Sequence, residues 1–391
     1  MSKKWIVVII AVVVVVAVVL ALTLRPTKEE QIKIGGIFDM TGGLAEMGDL
    51  ISKGARLAVE EINAAGGVLG KELVLLIEDG ATSADTGFTA FKKLVEVDEV
   101  EVIVGPMISG AVMACGAYAK DMEVPFISPS ATSPLITNQT WTEWALRTCT
   151  SDAFQGRLLA EIIIKEGYQK AAILVQDTPY GIGIEQVVEE SLKAANVTVV
   201  ESIRYDAKRL DYLTELGRIK DANPDVIVQV GYHTDSAKVY EQAGLLGLNV
   251  TPWLVAEGVY GLPASTYPAA AAFMANANLR GATLAPDPTL PAYVAFKAAY
   301  EGRWGKSPGV YCDTAYDAVK LIALAINKAG EYDGAKIKDA LYELGVGYSG
   351  ASGTITWDVK GDRVSATYGV WELQETSPGV YNYTILEYHT F

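Results

Sequence analysis

Histidine and cysteine are scarce in this chain. Of 391 residues, only His233 and His389 are histidine, and only Cys115, Cys149 and Cys312 are cysteine. A multi-histidine metal site or a histidine-based triad has almost nothing to draw on. An odd number of cysteines with no C-x-x-C excludes a disulfide framework and a zinc ribbon. It leaves two arrangements open: one bridge, for which Cys115 and Cys149 are the candidates, or three buried thiols. Positive charge is also short, with 32 Lys and Arg against 47 Asp and Glu and a formal net charge of −15. Nucleic acid and anionic membrane surfaces need a basic face, so neither is expected as a partner. The phosphate-binding glycine loops are missing too. The first apolar strand runs into Phe38-Asp-Met-Thr-Gly-Gly43, which is no G-x-G-x-x-G, and there is no Walker loop, G-x-S-x-G or H-E-x-x-H. With no nucleophile and base pair, a hydrolase is disfavoured. No cofactor or metal is expected.

What is abundant is apolar sequence. Hydrophobic residues make up 50% of the chain, enough for two cores rather than one. One stretch stands apart. Ser2-Lys3-Lys4 precede an uncharged run from Trp5 to Leu24, which as a helix would span roughly 30 Å, the thickness of a bilayer's hydrocarbon. The lysines predict that this end stays in the cytoplasm and that the rest lies outside the cell membrane. The run is longer than a signal h-region and no A-x-A site follows it. A retained N-terminal transmembrane helix is therefore favoured over a cleaved signal. Sequons at Asn138, Asn196, Asn249 and Asn382 are in keeping with an exported chain.

From residue 32 short apolar strands alternate with helices. Strands are expected at 32–38, 72–78, 102–104 and 124–127, with helices at 49–65, 84–97 and 109–122 between them. A second series begins after residue 151, with strands at 171–176, 197–203, 225–230 and 252–255 and intervening helices. Continuous apolar strands joined by helices are the pattern of parallel sheets covered on both faces. Two series broken near residue 150 predict two doubly wound α/β lobes. The last third departs from the pattern: one strand at 279–284, helices at 290–304, 309–329 and 335–344, then a hairpin at 366–373 and 380–388. These pieces must dock onto lobes already built.

Ligands of doubly wound sheets bind beyond the carboxyl ends of the strands. At two such ends the chain places hydroxyls before helices. Gly105-Pro-Met-Ile-Ser109 puts Ser109 at a helix N-cap, and FISPSATSPLIT (126–137) puts Thr132 or Ser133 before Pro134, a favoured first helical residue. Two such termini on neighbouring units make an anion site without a formal positive charge, which suits a carboxylate. Ser128 and Ser133 are read as backbone caps. The second series ends its strands with Tyr180, Tyr232 and Glu257. A carboxylate at an apolar strand end calls for a cation, and a ligand ammonium could supply it. The adjacent pair Glu78-Asp79 is read as a solvated strand end.

Several stretches, taken together and in this order, resemble the leucine/isoleucine/valine-binding proteins of ABC importers, the type I periplasmic solute-binding proteins. They are GDLISKGARLAVEEINAAGGVLGKELVLLIED, VIVGPMISGAV, VPFISPSATSPLIT, RTCTSDAFQG, DTPYGIG, AEGVYG and TITWDVKGD. The resemblance spans nearly all of residues 32–388. It implies two lobes joined by three hinge crossovers, here 31–150 with 285–352 and 151–284 with 353–391, after an N-terminal segment of residues 1–30. It implies that the ligand is an α-amino acid handed to ABC permease subunits in the membrane. Its carboxylate would be held by Ser109 and Thr132, and its ammonium by the Ser130 carbonyl and Glu257. Tyr180, Tyr232 and Tyr311 match aromatic positions of the family. Met47 stands where the family has an aromatic, and Ile108 stands where some members have a disulfide cysteine. These side chains suggest an apolar or aromatic ligand. The alternative is a sensory receptor ectodomain of the same fold, placed second because no segment resembling an output domain accompanies the lobes.

Overall fold

A computed structural model describes residues 31–277 and 279–391. The uncharged run at 5–24 lies outside these residues, so the expected membrane helix does too. Among the described residues no helix is long and apolar enough to cross a membrane.

The strands form two main sheets. Strands β1 (Ile32–Phe38), β2 (Leu73–Asp79), β3 (Ile103–Val104), β4 (Phe126–Ser128) and β5 (Ala145–Arg147) make the first, in the order β2-β1-β3-β4-β5. Every pairing in it is parallel. The second contains β6 (Lys170–Gln176), β7 (Thr198–Tyr205), β8 (Val226–Val230), β9 (Trp253–Val255) and β10 (Arg280–Leu284). A small pair, β11 (Tyr348–Gly350) and β12 (Gly353–Ile355), lies apart. Then β13 (Thr367–Ser377) and β14 (Val380–Thr390) complete the second sheet in the order β14-β13-β10-β9-β8-β6-β7. The hairpin is antiparallel to β10, whereas β6 to β10 are parallel.

The composition of the strands explains the arrangement. Strand β8 (VIVQV) is buried at every position, and β6 is buried at all but its first residue. Only a sheet covered by helices on both faces offers such burial. The late hairpin behaves differently. Its last strand alternates exposed and partly exposed residues, as an edge strand with one wet face does.

The chain passes between the sheets three times: after β5, after β10, and after β12. The helix Cys312–Ala329 packs on Ala45–Ala64 and against β3 and β4, so the late helices cover the first sheet. Two buried arginines pin these passages. Arg147, at the end of β5, donates from Nε and Nη2 to Asp362 Oδ1 at 2.8 and 2.5 Å. Arg363 donates from Nη1 to Thr148 O at 3.0 Å and from Nη2 to Ser352 O at 2.7 Å. Buried charges persist when paired and hydrogen-bonded, and these bind the first and third passages together.

Cys115, Cys149 and Cys312 are buried and free. Of the two arrangements left open by the sequence, the structure has the three thiols. Burial raises the Cys115 thiol well above its usual range, and burial raises Cys149 and Cys312 to about 12. They are inert apolar residues here.

Candidate ligand-binding site

In each sheet the strand order reverses between two neighbours, β1 and β3 in the first, β6 and β8 in the second. The loops leaving the carboxyl ends of these strands face one another, as expected at topological switch points. Between them lies a small, nearly filled pocket. Met47, Ser109, Ser130, Thr132, Tyr180, Tyr232, Glu257 and Tyr311 all line it, joined by Leu44, Met107, Ile108 and Gly258. The eight residues singled out in the sequence therefore line one pocket, although they span residues 47 to 311.

The first sheet supplies the hydroxyls. Ser109 is not an N-cap. Ile108 occupies that place in extended conformation, and Ser109 is the first residue of the Ser109–Asp121 helix. Its hydroxyl accepts the Ser133 amide at 3.1 Å, linking the β3 and β4 loops. Ser133 is the cap of the Pro134–Thr137 turn, accepting from the Leu135 amide at 3.2 Å. The Ser130 hydroxyl donates to Met107 O at 3.0 Å. Arg147 holds this loop from behind, donating from Nη1 to Ala131 O at 3.2 Å and Ser133 O at 3.0 Å. The carbonyls on either side of Thr132 are thereby fixed. Thr132 is 2% exposed, and its hydroxyl reaches across to Glu257 Oε1 at 3.4 Å.

The second sheet supplies aromatic walls and the carboxylate. Tyr180, in the first turn of the Pro179–Ala194 helix, stacks on Tyr232 with centroids 5.3 Å apart and planes 8° from parallel. The Tyr180 hydroxyl accepts the Gly258 amide at 3.1 Å. Tyr311 comes from the late helices. Its backbone sits in the left-handed region at φ 68°, a strained place for a tyrosine and one that clusters at functional sites.

Glu257 is the anomaly. It is 3% exposed, and its Oε2 is buried with no hydrogen-bond partner among the described residues. Burial, and then the nearby Asp152 charge, push its carboxyl well above the usual range. The Tyr311 and Tyr180 hydroxyls pull the other way without engaging Oε2 in hydrogen-bond geometry. A second carboxyl stands beside it. Asp152 is fully buried, its amide donates to Thr132 O at 2.8 Å, and its Oδ2 also lacks a partner. Burial raises Asp152 to about 7, against the Thr132 hydroxyl and the Arg147 charge, which lower it. Gln155 ties the two together, donating to Asp152 Oδ1 at 3.2 Å and accepting the Glu257 amide at 3.0 Å. Two hydroxyl-bearing loops thus face a pair of carboxyls with which no cation among the described residues forms an ion pair.

A periplasmic binding protein family model matches residues 31–377. The Leu/Ile/Val-binding protein BraC3 of Rhizobium johnstonii is 30% identical over 90% of this chain and 94% of its own length. The chain belongs to the periplasmic binding protein family. The Leu/Ile/Val-binding protein of Escherichia coli K12 is 28% identical over 88% of this chain and 91% of its own. Among solved structures, the branched-chain amino acid transporter substrate-binding protein LivJ of Streptococcus pneumoniae, in complex with isoleucine, superposes with a TM-score of 0.78. It is 28% identical and covers 91% of this chain and 99% of its own. The leucine-binding protein LivK of Thermotoga maritima gives a TM-score of 0.81 at 25% identity, covering 90% and 97%. The α/β architecture with two largely parallel sheets is that of the family.

In this binding protein, sequence reasoning missed Asp152, Gln155 and Arg147. Ser151-Asp152 ahead of an apolar helix reads as ordinary capping, and Ser151 does cap, accepting the Ala153 amide. Only the fold shows that the aspartate is buried against the Thr132 loop. The pair Glu78-Asp79 is also more than a solvated end. Asp79 Oδ1 accepts the Met40, Thr41 and Ala81 amides at 2.9, 3.2 and 2.7 Å, shaping the loops beside the cavity.

The buried carboxyls make the stability of the binding protein depend on pH. Burial raises Asp39, Asp152 and Asp313 each to about 7. Between about pH 4 and 7 the folded state holds protons that the unfolded chain has released, so stability falls as pH rises through that window. The ligand-free protein is expected to melt several degrees higher at pH 5 than at pH 8 by scanning calorimetry. A higher melting temperature at pH 8 would contradict these shifts.

Proposed function

We propose that this protein is the extracytoplasmic substrate-binding component of an ABC importer and that it carries an α-amino acid with a branched-chain or other apolar side chain. The observation that carries the reading is the buried Glu257 carboxyl, whose Oε2 has no hydrogen-bond partner among the described residues, in one pocket with Ser109 and Thr132. An α-ammonium supplies the missing cation, and the hydroxyls supply donors to an α-carboxylate. The relatives named above bind leucine, isoleucine and valine, which supports the same ligand class here.

Ser109 and Thr132 receive the carboxylate. The Ser130 carbonyl and Glu257 receive the ammonium. Met47, Tyr180, Tyr232 and Tyr311 surround the side chain. The lobes, 31–150 with 285–352 and 151–284 with 353–391, close on the ligand about the three passages, excluding water from the charged contacts. Permease subunits take the ligand from the closed form. The run at 5–24 anchors the protein to the membrane, keeping it near that permease. The protein carries its ligand unchanged and is not an enzyme.

Thr132→Val keeps the volume of the side chain and removes its hydroxyl. It is expected to weaken amino-acid binding roughly ten- to a hundredfold by isothermal titration calorimetry, the value of a hydrogen bond to a charged group. Unchanged affinity would remove Thr132 from the site.

A further inference from the structure

A close approach between the two sets of loops lies beside the pocket. The Ser133 hydroxyl caps its own turn and also donates across the crevice to Pro179 O at 2.6 Å. Pro179 opens the Pro179–Ala194 helix of the second series. One turn on, that helix carries the buried Gly183. A Cβ added there would stand 2.7 Å from Pro134 Cδ and 2.7 Å from Ser133 Oγ, closer than real contacts allow. The neighbouring Gly181 makes the contrast. Its Cβ would meet Gln176 O at 2.2 Å, so it is required by its own strand end. Gly183 is required only by the opposite side of the crevice. Glycine inside a helix costs about 1 kcal/mol relative to alanine. The helix therefore carries a local penalty that its own lobe does not need.

We infer that Gly183 and Ser133 form a latch for lobe closure, positioning the Pro179–Ala194 helix against the Ser133–Pro134 turn and so setting affinity for every ligand by a common factor. The inference rests on the reading that the lobes close around a ligand. It assigns closure to residues that do not line the cavity. Ser133 then has two roles, cap and latch, where the sequence suggested only the first.

The test is Gly183→Ala in the full-length protein. Alanine suits the helix better, so the melting temperature of the ligand-free variant is expected to stay level or rise. Overpacking of the closed contact is expected to weaken leucine, isoleucine and valine by the same factor, at least about tenfold. A lowered melting temperature would overturn the latch, because the glycine would then serve its own lobe. Unchanged affinity would overturn it, as would losses differing by more than about threefold between leucine and valine, which would place Gly183 at the side-chain pocket. A second readout needs no ligand. A Cβ at Gly110 would lie 3.9 Å from Pro179 Cδ across the same contact, so the two positions are near enough there for a short thiol crosslinker to trap the closed form of a Gly110→Cys, Pro179→Cys variant. The native thiols are buried and do not compete. Trapping should slow about tenfold or more when Gly183→Ala is added, and equal rates would overturn the latch. If the unaltered protein bound none of the three amino acids, the ligand assignment would fail while the trapping rates still decided the latch.

Discussion

Glu257→Gln is expected to weaken amino-acid binding about a thousandfold while leaving the ligand-free protein as stable as before. The two effects separate because of where the carboxyl sits. In the closed arrangement Glu257 is buried, its Oε2 has no hydrogen-bond partner among the described residues, and burial raises its carboxyl well above the usual range. Replacing it with a neutral isostere therefore takes no favourable ion pair from the fold. In the proposed complex the same carboxylate would be the counter-ion of a buried ammonium. Truncating one partner of a buried, hydrogen-bonded charge pair costs about 2–5 kcal/mol, or about one and a half to three and a half decades in affinity. Titration calorimetry and thermal melting on the same sample would show both. A variant that binds normally would place the ammonium elsewhere, and one that fails to fold would make Glu257 a structural group.

The second large effect is a dependence of binding on pH. Burial raises both carboxyls of the Glu257–Asp152 pair and the Asp152 charge raises Glu257 further, so the pair holds a proton before a ligand arrives. An arriving ammonium favours the ionised carboxylate and expels that proton. Where the raised pair is still protonated, the dissociation constant should fall about tenfold for each unit of rising pH, roughly from pH 5 to 7. Binding should release about one proton near pH 6, measurable as a difference in heat between buffers of different ionisation enthalpy. Proton uptake, or affinity flat across that window, would contradict the charge state argued for the cavity. This trend runs opposite to the stability of the free protein, which falls over the same range.

The sequence displayed its regular elements and left the site incomplete, for physical reasons. Parallel strands covered on both faces must be continuous apolar runs, so β1 and β8 stand out against the amphipathic helices between them. Strand-end loops are where ligands bind, so Ser109, Thr132 and Glu257 could be picked out before their distances were known. The exact cap was not legible: Ile108 holds the extended place ahead of the helix, because backbone conformation rather than hydroxyl chemistry decides which residue begins it. Asp152 was hidden by its own ordinariness, since an aspartate in a first helical turn is favoured by the helix dipole with or without a ligand. Met47 and Tyr311 carry no local signal at all. One lies on a helix and the other at a left-handed helix start, 264 positions later by subtraction, and only family resemblance or the folded chain joins them. Gly183 is the same kind of case, because a glycine demanded by the opposite lobe looks in sequence like a weak point of its own helix.

On the proposed function, a buried carboxyl waits for an α-ammonium. Calorimetric titration with L-leucine and with 4-methylpentanoate, the same molecule without its amino group, tests it most directly. Binding of leucine together with a loss of about a hundredfold or more for the acid is the predicted result. Equal binding of the two, or tighter binding of the acid, would contradict it.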